Sequence, residues 1–415
     1  MGCVRLDYFL KCVSCGREYA RDEVEYTCAA CGDRMGTLEI VPDYNSIPAS
    51  KMDYEKNESL WQFEKLLPVE PGSYRTHLHV GGTPLYRFSG LLGIRELLVK
   101  YDGSSPTASF KDRASAVVVT KAYEKGYDTV YCASTGNAAA SLAGLTAVTP
   151  LKAYIFLPAS APAAKISQLF AYGAKVIAVD GTYDQAFDLS LEVGRLKGWY
   201  SRNSAINPYS LEGKKTGAYE ICVQNDWRVP DAVLVGVGDG TVISSLYKGF
   251  YDFYRMGFID KIPQIIGVQA AGSDAVKRVF ERGEPYAPLD IEASTIADSI
   301  SVGKPRDVIK ASGAVKKSGG FFVAVQDEEI MQAVLELAAN TGVFGEPAGA
   351  VAYAGLKKLI ELGKLQKDSS ICIVVTGNGL KDISAISRFV SVQPVKPDIS
   401  SIMQYIETKD ESSQL

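Results

Sequence analysis

From about residue 70 onward, short apolar runs alternate with longer stretches in which apolar positions recur every three or four residues. The runs read as strands: Leu97 to Tyr101, Thr129 to Ala133, Lys152 to Leu157, Lys175 to Val179, Ala232 to Val237, Ile265 to Gln269, Phe321 to Val325 and Ile371 to Val375. Between most of them the 3.6-residue period predicts helices. In Asp112 to Lys125, for example, Ala114, Val117, Val118 and Ala122 share a face before Gly126 stops the helix. An alanine-rich helix is expected over Ala138 to Ala147. Regular β/α alternation implies mostly parallel sheets with helices on both sides, and ligands in such folds gather at the carboxyl ends of strands. Ahead of this region, Asp43 to Glu70 is polar and proline-punctuated and carries Trp61 and Phe63, which predicts a lead-in segment wrapped around the main body. After Lys396 the chain is polar and is expected to fray.

Length and charge narrow the field. A chain of 415 residues, 47% of them hydrophobic, suits two domains and a small appendage. A net charge of -4 argues against a nucleic-acid partner. No run approaches the ~20 apolar residues of a membrane span, and the start lacks a secretory apolar core. Met1-Gly2 is followed at position six by Leu6, where myristoylation wants Ser or Thr. The reading is a cytoplasmic protein that does not engage membranes.

The eight cysteines fall into two groups. Cys12, Cys15, Cys28 and Cys31 form two C-x2-C pairs, each followed by a glycine, Gly16 and Gly32, where a knuckle needs permissive backbone. That spacing is close to a zinc ribbon, and with all four positions filled by thiolates the Zn2+ would be structural. Cys132, Cys222 and Cys372 lie in apolar surroundings and read as core, and Cys3 stands apart.

Candidate chemistry clusters in one nonapeptide and three turns. Lys111, in Ser105-Pro-Thr-Ala-Ser-Phe-Lys-Asp-Arg113, stands at an expected capped helix start, where a positive terminus and partial burial can lower an amine's pKa. Ser134-Thr135-Gly136-Asn137-Ala138 follows a strand and opens a helix, so its hydroxyls and free amides suit either a carboxylate or simple N-capping. Gly236-Val237-Gly238-Asp239-Gly240-Thr241 is neither G-x-G-x-x-G nor a P-loop, yet it can cradle a phosphate through its amides and the Thr241 hydroxyl. The third turn is Val375-Thr376-Gly377-Asn378-Gly379.

Taken in order, Gly81-Gly82-Thr83-Pro84-Leu85, Ser109 to Arg113, Ala133 to Asn137, Asn203-Ser204-Ala205-Ile206-Asn207-Pro208, Leu211-Glu212-Gly213-Lys214-Lys215-Thr216, Glu346-Pro347-Ala348 and Thr376 to Asp382 resemble the threonine synthase family of fold-type-II pyridoxal phosphate enzymes, from Trp61 to about Arg388. The resemblance implies an α/β, tryptophan synthase β-like fold of two domains with mostly parallel sheets, and a homodimer. It divides the chain into a ribbon (1–45), a large cofactor domain (46–131 and 205–396), a smaller inserted domain (132–204) and a polar tail (397–415). It also implies roles. Lys111 carries the cofactor, Asn137 meets its 3-hydroxyl, Gly236 to Thr241 hold its phosphate, and Thr376 faces the pyridine nitrogen. Ser134, Thr135, Asn137 and Ala138 meet the substrate carboxylate, with Asn203 and Ser204 beside them. A hydroxyl facing the pyridine nitrogen does not hold the ring protonated, so the cofactor is a milder electron sink, suited to elimination and replacement.

The family reaction turns O-phosphohomoserine and water into threonine and phosphate. This chain departs from the family at Ala108 and Ala114 (Gly), Ala138 (Thr), Ser210 (Arg), Lys214 (Gln), Asp239 (Asn), Thr241 (Gly), Gly349 (Ser) and Asn378 (His). Ser210 removes a guanidinium that could clamp a phosphate, and Lys214, one helical turn on, is the expected substitute. Lys165 and Arg202 are further candidate cations, whereas Asp239 would repel a phosphate unless its side chain turns away. His77 and His79 precede the main motifs and read as structural. A second reading uses the same cofactor for β-elimination or β-replacement on a serine-type substrate, as in serine/threonine dehydratases or cysteate synthase. A third is a non-enzymatic scaffold whose ribbon recruits partners.

Overall fold

The computed structural model describes residues 5–54, 58–387 and 392–412; Cys3 and Arg388 lie outside them. In chain order the strands are β1 (Tyr8–Cys12), β2 (Glu18–Tyr19), β3 (Leu38–Pro42), β4 (Leu85–Ser89), β5 (Glu96–Tyr101), β6 (Thr129–Ala133), β7 (Lys152–Pro158), β8 (Lys175–Val179), β9 (Tyr200–Ser201), β10 (Ala232–Gly236), β11 (Gln264–Ala270), β12 (Phe322–Val325) and β13 (Ser370–Val375). They form an antiparallel ribbon β2-β1-β3, a six-stranded sheet β12-β11-β10-β13-β5-β4 and a four-stranded sheet β8-β7-β6-β9. Only β4 runs antiparallel in the large sheet, and the four-stranded sheet is wholly parallel.

All eight strands expected from the apolar runs are present, each end within one residue. Their composition explains them: every residue of β6, β10 and β13 is buried, as it must be for a parallel strand covered by helices on both faces. Register then builds the site. Val235 of β10 pairs with Val374 of β13, and Val375 pairs with Tyr101 of β5. The carboxyl ends of three neighbouring strands therefore reach the same edge of the sheet, and each leads into one of the motif-bearing segments.

Several expectations need correction. The helix Lys111–Glu124 starts at Lys111 itself, with Phe110 in the cap position and no side-chain cap. It is not amphipathic but buried all round from Asp112 to Ala122, because the helices Asn137–Thr146 and Tyr209–Gln224 pack against it. Gly213 permits that approach: a Cβ there would lie 2.0 Å from the Arg113 carbonyl oxygen. The lead-in segment, by contrast, is as expected: among the described residues it holds three 3-10 turns, and Tyr54, Phe63 and Leu66 are buried against the main body. Of the tail expected to fray, the described residues form the helix Ile399–Ser412, and 413–415 lie outside the described residues. Asp398 accepts the Ser401 amide at 2.9 Å as an N-cap, and Ile399, Ile402, Met403 and Ile406 recur at helical spacing. That helix belongs to a second unit from Asp382 onward; the three sheets belong to the first.

Candidate active site

Lys111 is placed by its loop and by the strand beside it. Phe110 donates its amide to the Thr376 carbonyl at 2.8 Å, and Ser109 bridges to Gly377. Asp112 accepts the Thr107 amide at 2.7 Å and the Thr107 hydroxyl, closing the loop on itself. Ala108 holds φ of 64°, a left-handed conformation that favours glycine, and is pinned there by the Asn378 amide on its carbonyl at 3.0 Å.

Beneath Lys111 lies a fully buried ion network. Arg113 Nε donates to Asp102 at 2.6 Å, its Nη1 and Nη2 donate to Glu220 at 2.6 and 2.7 Å, and Lys100 donates to Glu220 at 2.6 Å. Thr83 donates to Asp102 at 2.7 Å, which gives the Gly81-Gly82-Thr83 segment a structural duty. Burial alone would raise the Glu220 carboxyl, but Arg113 and Lys100 hold it well below the usual range. The network fixes the start of the Lys111 helix to both β5 and the helix Tyr209–Gln224.

The Lys111 side chain stands where two cavities meet. The smaller, about 70 Å³, is walled by Gly236 to Ile243, Lys214 and Thr376. Gly240 has φ of +98°, and Cβ atoms at Gly236 or Gly238 would meet Ala348 or Ile300 at 2.6 and 3.1 Å, so only glycine lets this turn approach. The larger cavity, about 490 Å³, is lined by Ser134, Thr135, Gly136, Asn137 and Ala138, and by Asn203 across from them. Ser204 and Asp239 line both. Burial pushes the Lys111 amine below the ordinary lysine range; Glu346 opposes that and Arg202 adds to it.

Individual side chains divide into the free and the committed. Asn137 Nδ2 donates to Glu346 at 2.7 Å and to Ser299 at 3.3 Å. Asn203 accepts the Ala133 amide at 2.8 Å and donates to Ser190 at 3.2 Å, so its side chain ties β6 into the four-stranded sheet. Ser134 accepts the Gly136 amide, but the helix cap is Gly136 and not Ser134 or Thr135. Asp239 turns away from the cradle, its carboxylate taking the Arg306 amide at 3.3 Å and its carbonyl the Asp307 amide at 3.1 Å. Ser210 is buried and lines neither cavity, as is true of neither His77 nor His79 in burial but true of both in position. Arg202, Lys304 and Arg306 are the basic side chains on the larger cavity besides Lys111, and Lys165 sits at its edge, bonded to Asp298 at 2.5 Å.

In the ribbon, the sulfurs of Cys12, Cys15, Cys28 and Cys31 all lie within 4.8 Å of one another. Cys15 and Cys28 are 3.8 Å apart, the edge of a tetrahedron with metal–sulfur bonds of about 2.3 Å. Gly16 and Gly32 have φ of 72° and 71°, as the knuckles require.

Over residues 76–377 the sequence matches the family described as pyridoxal-phosphate dependent enzymes. It is 44% identical to the threonine synthase of Methanocaldococcus jannaschii over 394 residues, which cover 93% of this chain and 96% of that one. The chain belongs to the threonine synthase family. The threonine synthase of Methanosarcina acetivorans is 42% identical, with 90% of this chain and 92% of that one covered. Among solved structures, the processed threonine deaminase isoform 2 of Solanum lycopersicum shares the fold at a TM-score of 0.63 and 24% identity, covering 74% of this chain and 86% of that one.

The residues present fit the family's cofactor. Thr241 Oγ1 is buried at the mouth of the glycine turn without a hydrogen-bond partner among the described residues, an arrangement that costs free energy unless an anion's oxygen completes it. Thr376 leaves its hydroxyl without a bond among the described residues while its carbonyl is used. Sequence reasoning missed Glu346 as the partner of Asn137, the Arg113 network and the basic groups at 304 and 306. Glu346, Arg113 and Thr83 stood in quoted motifs, but their partners are distant along the chain and meet them only through folding.

Proposed function

We propose that this chain is a pyridoxal-phosphate-dependent lyase that converts O-phosphohomoserine and water into threonine and phosphate. The observation that carries the reading is the position of Lys111 at the junction of a phosphate-sized glycine cradle and a larger polar cavity, in a chain matching archaeal threonine synthases almost end to end. Bound pyridoxal phosphate supplies the electron sink for carbanion chemistry at the substrate. Lys111 is the base: its amine, biased towards the neutral form by burial, would take the Cα proton, then move a proton off Cβ as phosphate leaves Cγ, and return protons to Cγ and Cα as water adds at Cβ. Amides and hydroxyls of Ser134 to Ala138 hold the carboxylate at the start of the helix Asn137–Thr146, where free N–H groups point outward. Asn137, now bonded to Glu346, would meet the cofactor's 3-hydroxyl, and Thr376 would offer the ring nitrogen an uncharged hydroxyl. Ser204 lies between the two cavities, while the substrate's phosphate meets the basic wall of Arg202, Lys304 and Arg306.

The reading extends to the periphery of the chain. The four ribbon cysteines hold one structural Zn2+, supported by their tetrahedral spacing. The four-stranded sheet and its helices form the smaller domain, inserted near 132–204 and closing over the larger cavity. Two chains associate, which a solution mass of twice 44.8 kDa checks. The purified protein should release equal amounts of threonine and phosphate from O-phosphohomoserine. A 2-oxo acid from serine, threonine or O-phosphoserine, with no threonine formed, would replace this reading with the dehydratase type.

A further inference from the structure

Lys214 is a deeply buried cation, with 1% of its surface exposed, and it reaches the smaller cavity alongside Lys111 and Thr241. It makes no hydrogen bond and no ion pair among the described residues. The carboxylates nearest in electrostatic effect are occupied: Asp307 pairs with Lys310 at 3.1 Å, and Asp239 accepts the Arg306 amide. Its other charged neighbours, Lys111 and Arg202, repel it. A buried ammonium with no counterion is costly, and proteins tolerate one where a ligand brings the missing charge. The same wall holds a second unmet group, the buried Thr241 hydroxyl, and the free amides that begin the helix Thr241–Arg255. Lys214 does not line the larger cavity.

We infer that Lys214 is the resident counterion of the cofactor's phosphate on the Gly238 to Thr241 turn, and not a clamp for the substrate's phosphate. The inference rests on the pyridoxal phosphate reading above and revises the expectation that Lys214 stands in for a guanidinium at Ser210. It also explains why Asp239 is tolerated in the cradle. With its carboxylate turned to Arg306 and an ammonium facing the turn, the phosphate meets positive charge and amide donors.

The test is Lys214→Met, close in shape but uncharged, with Lys214→Gln as a second variant should the first fold poorly. Binding of pyridoxal phosphate to the cofactor-free full-length protein is titrated by fluorescence and absorbance, in parallel with pyridoxal, which lacks the phosphate. Losing one charge-assisted contact should weaken pyridoxal phosphate roughly 10- to 100-fold and leave pyridoxal unchanged. Cofactor-free Lys214→Met should unfold at the same or a higher temperature than the parent, since an uncompensated charge has been removed. Equal weakening of both ligands, or a less stable cofactor-free variant, would make Lys214 structural and overturn the inference. Unchanged cofactor affinity with a raised KM for O-phosphohomoserine would assign it to the substrate and overturn it too. If the parent protein itself binds no pyridoxal phosphate, the underlying reading fails instead.

Discussion

Arg113 and Lys214 sit on adjacent packed helices, and both are buried cations, yet they have opposite surroundings. Arg113 spends its donors on Asp102, Thr83, Thr216 and Glu220, every partner buried. Lys214 faces a cavity and has nothing to donate to among the described residues. A satisfied buried charge holds a fold in register, whereas an unsatisfied one holds a place for a ligand. The distinction separates scaffold from site within a few ångströms of Lys111.

The largest effect that would break this comparison is expected at Arg113. Arg113→Met leaves Asp102 buried without a cation and Glu220 with Lys100 alone, which should cost about 3–5 kcal/mol of stability, much of the total for a typical domain. Denaturant melts of the cofactor-free chain measure it; a loss below 1 kcal/mol would show that the network does not anchor the Lys111 helix.

Zinc comes next. Elemental analysis should find one zinc per chain, and Cys28→Ser should abolish it while leaving cofactor binding intact. A fully folded ribbon with no metal would contradict the cysteine reading.

The cofactor-free protein should also show a pH signature. Burial, with Lys111 and Arg202 nearby, pushes the Lys214 amine well below 10.5, against the pull of Asp307 and Asp239. Between that lowered value and the ordinary lysine value of about 10.4, the unfolded chain binds a proton that the folded chain has released. Stability conferred by this group therefore rises with pH across the window, and Lys214→Met should flatten the rise. An unaltered slope would mean that the amine is not isolated from water.

The smallest effect concerns Ala108, whose φ of 64° suits glycine better. Ala108→Gly should stabilise the protein by about 1 kcal/mol, measured by thermal unfolding. A destabilised variant would mean that the added chain freedom outweighs relief of the strained backbone.

Much of this was legible in the sequence, for physical reasons that differ by region. Strands such as β10 and β13 are continuous apolar runs, and a run buried on both faces announces itself without any partner. The glycine turns were legible because only glycine fits where backbone meets Ala348 or Ile300. What stayed hidden depends on contacts distant in sequence. Asp102, Arg113 and Glu220 are ordinary charged residues until folding buries them together. The tail helix was obscured by its polar composition, although Asp398 and the Ile399, Ile402, Ile406 spacing were there to be read. Lys214 was visible as a candidate cation, but spacing along a helix could not say which of two neighbouring cavities it enters.

Reductive labelling decides the central claim most directly. Borohydride treatment of the holoenzyme followed by peptide mapping should place one phosphopyridoxyl group per chain on Lys111. A label on Lys214, the other buried amine of the same cavity, or no label at all, would contradict the account.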